Sequence, residues 1–162
     1  MSGIREINRT TQRGFTMFGL KKIFGKGREA RAALGKLENR DLLQAVVYGC
    51  FYVAAADGEI EPAELDKIDR LLRNEPKLQG FGAEQGNLID KAKADFNEGG
   101  ARIIRMNAER ELADLAHTPT DAETVINFML TIAEADGEIE PAEVAVLERA
   151  AAKLNLRLKD YL

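Results

Sequence analysis

The nine residues Ala56 to Glu64, "ADGEIEPAE", return letter for letter at Ala135 to Glu143. Around them the likeness fades. When 41–56 is aligned with 120–135, only Val46/Val125, Ala54/Ala133 and Ala56/Ala135 agree, and the eight positions after each copy share only Arg70/Arg149. A chain that repeats a loop while its flanks drift is built from two equivalent units, and each unit must present the loop in the same way.

The flanks read as helices. Leu43, Val46, Val47, Cys50 and Ala54 fall at i, i+3, i+4, i+7 and i+11, one apolar stripe of a helix that "DLLQ" at 41–44 opens as a capping box. Leu65, Ile68 and Leu72 continue the pattern after the first copy. Leu88, Ile89, Ala92 and Phe96 mark a further helix, stopped by Gly99 and Gly100, and Ile104, Ala108, Leu112 and Leu115 another, ended near Pro119. "TDAE" at 120–123 opens the helix of Val125, Phe128, Met129 and Ile132, and Val144, Leu147, Ala151 and Leu154 follow the second copy. No segment alternates with period two, so the expected fold is all-α: a compact bundle of about seven helices around two pseudo-symmetric helix-loop-helix repeats.

Charge divides the chain. Residues 1–40 carry ten Lys/Arg against three Asp/Glu, and 41–162 carry thirteen against twenty-four, so a basic arm of +7 precedes an acidic body of −11. We expect a disordered lead at 1–16, a basic amphipathic arm and first helix at 17–40, and an acidic helical domain at 41–162, with Met17 as an alternative start. Gly25 and Gly27 argue against one continuous helix in the arm. Phe18, Lys21, Lys22, Ile23, Phe24 and Lys26 are candidate contacts to an anionic membrane surface, the alternative being that the apolar ones fold back onto the helical body; no apolar run is long enough to span a bilayer. Absence of Trp and few aromatics argue against a stacking surface for single-stranded nucleic acid, and the one cysteine and one histidine argue against structural zinc. Cys50 lies on the apolar stripe and reads as a core thiol; a reducing cytoplasm is the expected setting.

Two readings of the loop stand open. D-G-x-x-x-x-x-E matches the second half of an EF-hand calcium loop, with Asp57, Glu61 and Glu64 in one copy and Asp136, Glu140 and Glu143 in the other as candidate ligands. The first half of the EF-hand loop is missing, so a cation, Ca²⁺ before Zn²⁺ or Mg²⁺, would be held weakly with water completing its shell. The alternative is turn chemistry: Asp-Gly makes the turn, Pro62 starts a helix, the Glu at N3 suits the helix dipole, and Ile60 and Ile139 plug the core, leaving the acidic face as a metal-independent surface for a basic protein partner.

At these residues the sequence resembles the tellurite-resistance TerB family, related to the helical domain of membrane-anchored DnaJ-like chaperones. The likeness rests on paired "DGEIEPAE" loops, each after an apolar helix ending in "AAA" or "AEA", and on the basic opening "FGLKKIFGKGREARAAL". The resemblance implies a non-enzymatic helical protein of a stress or phage-defence system, with an acidic face that binds divalent metal. It also implies a place at the inner face of the cytoplasmic membrane near a TerC-like integral membrane protein and TerD-type proteins. Glu61 and Glu140 depart from the small capping residue expected there in relatives.

Overall fold

The computed structural model describes residues 25–162 except Asp136, with side chains from Arg40 onward. The expected disordered lead and the side chains of Phe18, Lys21, Lys22, Ile23, Phe24 and Lys26 lie outside the described residues. The chain divides into units Met1–Asn39 and Arg40–Leu162. Its elements are α1 (Gly25–Ala54), α2 (Pro62–Asn74), a 3₁₀ turn at Pro76–Phe81, α3 (Ala83–Ala113), α4 (Pro119–Glu134), α5 (Pro141–Lys153) and a 3₁₀ turn at Leu158–Asp160. No strand occurs among the described residues, as period-two alternation is missing from the sequence.

Two expectations about helix starts are corrected. "DLLQ" opens nothing: Asp41 to Gln44 lie inside α1, which already begins at Gly25 and includes Gly27. From Lys36 to Val47 no Pro or Gly interrupts a run of good helix formers, so a capping-box match alone cannot make a boundary there. "TDAE" likewise begins two residues past the N-cap, because Pro119 takes the first helical position and Thr118 becomes the N-cap. With the arm and first body helix merged, the described residues hold five α-helices and two 3₁₀ turns.

α1 does more than offer a stripe. Leu43 and every residue from Ala45 to Val53 are buried, Tyr48 and Tyr52 included, so this stretch of α1 is the axis of the Arg40–Leu162 unit. A helix apolar on all sides is one surrounded by others. Gly49 permits one close approach: a Cβ there would meet Met129 Sδ at 3.1 Å and Val125 Cγ1 at 3.5 Å, so α4 packs directly against the α1 backbone.

α3 is broken where the sequence said a helix should stop. Gly100 takes φ 68°, ψ −164°, separating a first limb with Ile89 and Ala92 buried from a second with Ile104, Ala108 and Leu112 buried. Asn107 Nδ2 lies 3.4 Å from Asp95 Oδ2, although twelve residues of straight helix would hold the two roughly 18 Å apart. The limbs therefore fold back on each other. Gln85, 6% exposed, donates from Nε2 to the Leu72 carbonyl and ties the first limb to the end of α2.

Candidate functional site

Both loops are assembled from the same bonds. The Gly58 N–H donates to the Ala55 carbonyl at 2.9 Å, and the Gly137 N–H to the Glu134 carbonyl at 2.9 Å. Gly58 and Gly137 have φ of 99° and 109°, values an L side chain adopts only under strain, which accounts for Gly in both copies. Glu61 and Glu140 are N-caps in extended conformation (φ −70° and −76°), Pro62 and Pro141 follow at the first helical position, and a capping box closes each helix. Glu64 accepts the Glu61 N–H at 2.9 Å and Glu143 accepts the Glu140 N–H at 2.8 Å. The Glu that departs from the small capping residue is thus itself the cap. In the first copy Asp57 Oδ1 also accepts the Glu59 N–H at 3.0 Å, an Asx turn that shapes the loop. Ile60 is buried beneath it, while Ile139 is half-buried.

Asp57, Glu61 and Glu140 are exposed, Glu64 and Glu143 half-buried, and Asp136 lies outside the described residues. Among the described residues no three His, Cys, Asp or Glu side chains are gathered as a metal ion requires. In the first copy Asp57 and Glu64 each already hold a backbone N–H. Among the described residues these carboxylates are not gathered into a ready-made cage, so a cation there would take most of its six to eight oxygens from water.

A second polar constellation escaped the sequence reading. The Tyr48 hydroxyl donates to Asp95 Oδ2 at 2.5 Å, Lys91 Nζ reaches Asp95 Oδ2 at 3.0 Å and the Tyr48 oxygen at 3.1 Å, and Asn107 joins from the other limb of α3. One turn further along α1, the Tyr52 hydroxyl donates to Glu109 Oε2 at 2.7 Å. Burial, then the hydrogen bond to Asp95, push the Tyr48 phenol above its ordinary pKa, and burial and Glu109 do the same to Tyr52. Burial alone would raise Asp95, but hydrogen bonds from Tyr48 and Lys91 outweigh it and hold the carboxyl below the usual range. The only cue in the sequence is a pair of tyrosines four apart in an apolar run; their partners lie 47 and 57 residues away.

Cys50 is fully buried, and burial pushes its thiol up to about 12, so it is no nucleophile at neutral pH. His117 stands exposed in the turn after α3. No described helix is long and apolar enough to cross a membrane.

An all-helical domain with two identically capped helix-loop-helix units is the class of protein that fold and loops define. The family model described as Tellurite resistance protein TerB matches residues 43–161, and the chain belongs to that family. No curated protein and no solved structure matches it.

Proposed function

We propose that this TerB-family chain is a non-enzymatic adaptor of a tellurite-resistance or related stress and phage-defence system, and that its acidic loops meet a protein partner without needing a metal. One observation carries the reading: the carboxylates best placed for a cation are engaged in capping and turn bonds, whereas Glu59 and Glu138 are exposed and take no partner among the described residues. Every other polar position of the first copy has a duty in the turn. By family resemblance the partners are a TerC-like integral membrane protein and TerD-type proteins, met at the inner face of the cytoplasmic membrane. The +7 arm at 1–40 would add attraction to anionic lipid, at roughly 1 kcal/mol for each basic residue near the surface.

The deciding experiment is a tellurite-survival assay of Glu59→Gln/Glu138→Gln, paired with calorimetric titration of Ca²⁺, Zn²⁺ and Mg²⁺ into chelator-treated protein. Lost survival with an intact fold and no cation heat is the expected result. A second reading, a weak divalent site with Ca²⁺ as the first choice, draws on the oxygens that Asp57, Glu61 and Glu64 keep free. Saturable heat abolished by Asp57→Asn/Glu64→Gln would establish it and overturn the first.

A further inference from the structure

The second limb of α3 presents an inverted charge pattern. On an acidic body, Arg102, Arg105, Met106 and Arg110 face solvent at i, i+3, i+4 and i+8. The glutamates of the same limb are tucked away: the Arg105 and Arg110 side chains are 60% and 66% exposed, against 21% and 12% for Glu109 and Glu111. Glu109 is held by the Tyr52 hydroxyl at 2.7 Å, and Arg105 only leans on it at 3.8 Å. Arg149 on α5 reaches the same neighbourhood, its charge acting with that of Arg105 on the Tyr52 phenol. Arg102 takes no partner among the described residues, and Met106 is 59% exposed amid these cations.

From this face and the loops together we propose that Arg102, Arg105 and Met106 receive the acidic loop of a second copy of this chain, with Glu59 or Glu138 as the contacting carboxylate. The proposal rests on the reading of the loops as a protein-binding surface and names one occupant for it. The two surfaces are complementary in sign, and each carries a charged side chain that the fold does not use. Met106, unbranched and adaptable, supplies the apolar contact beside the ion pairs. Loop and face are different patches, so the contact is head-to-tail and adds copies in sequence instead of stopping at a symmetric dimer. One loop on one helix face is smaller than the roughly 1,200 Å² of a stable interface, so association is weak and concentration-dependent. It is also sensitive to salt, because exposed pairs are screened over about 10 Å at 0.1 M ionic strength.

The test is sedimentation of the full chain over a concentration series at about 50 mM and about 500 mM salt, a range across which the Debye length falls several-fold. Wild type should gain average mass with concentration at low salt and return to monomer at high salt. Arg102→Glu/Arg105→Glu and Glu59→Arg/Glu138→Arg should each remain monomeric with unchanged circular dichroism, and an equimolar mixture of the two should associate again. Arg102→Gln/Arg105→Gln, which only removes charge, should weaken association by a few-fold to about tenfold, the loss of one to two modest ion pairs. Wild type that stays monomeric at low salt overturns the proposal. So does association indifferent to the α3 variants, which would assign it to the basic arm, or a mixture that fails to restore it. In each of these cases the survival phenotype of Glu59→Gln/Glu138→Gln is unaffected, so the adaptor reading stands or falls separately.

Discussion

The acidic loops and the tyrosine network use the same chemical group in opposite ways. In the loops a carboxylate accepts an N–H from its own chain two or three residues away, as Asp57 does from Glu59 and Glu64 from Glu61. In the network a carboxylate accepts from another helix, as Asp95 does from Tyr48 and Glu109 from Tyr52. Local bonds shape a turn wherever the turn is placed; distant bonds hold helices in one arrangement. The loops are accordingly loud in sequence and modest in energy, while the network is silent in sequence and couples α1 to both limbs of α3.

The sharpest way to break this comparison is Asp95→Ala. It strips the shared acceptor from Tyr48, Lys91 and Asn107, two of them partly buried, and should cost about 1–3 kcal/mol. Thermal melting should fall by about 2–4 °C per kcal/mol for a chain of this size. A change smaller than that of any loop variant would reverse the ranking.

Next comes the pair Gly58→Ala and Gly137→Ala, each forcing a side chain into positive φ and costing about 1–2 kcal/mol. Equal losses in separate melts would sharpen the equivalence of the two loops; a loss at one site alone would break it. Smaller still is Asp57→Asn/Glu64→Gln. Asn keeps the Asx turn and Gln keeps the capping box, so the charge goes while the bonds remain, and stability should move by no more than about 0.5 kcal/mol. Melting like a cavity variant would mean the loop carboxylates hold the fold together by charge.

Titration gives the subtlest contrast. All three tyrosines have raised pKa values: burial leads in each, joined by Asp95 at Tyr48, Glu109 at Tyr52 and Glu123 at Tyr161. A raised phenol stabilises the fold below about pH 10 and loses that contribution as pH rises through the folded value. Near-ultraviolet absorbance should therefore show no tyrosine ionising at the ordinary pH until the protein unfolds. Asp95 and Asp69 have lowered values. At Asp69 burial is outweighed by hydrogen bonds from Arg73 and Lys93, as Tyr48 and Lys91 outweigh it at Asp95. Their contribution is present above about pH 4 and lost as pH falls through the folded values. Asp95→Asn should flatten the acid limb of a stability profile, and an unchanged limb would remove Asp95 from the network's energetics.

By itself the sequence determined what depends on near neighbours. The apolar periods placed the helices, Gly99-Gly100 announced a break, and D-G-x-x-x-P-x-E prescribed a turn and a capped start twice over. Even there, "DLLQ" misled, because a capping pattern competes with the helix propensity of everything around it, and that competition is decided by the whole segment. Only the tertiary structure decided that α1 from Ala45 to Val53 is enclosed on every side, that α3 folds back to bring Asn107 to Asp95, and that Glu109 and Glu111 are tucked in while Arg105 and Arg110 stand in water. Such facts depend on which surfaces meet across tens of residues. A period of 3.6 says which side of a helix is apolar, but a helix buried all round, or a charge tucked against a distant phenol, is a property of the neighbours that arrive.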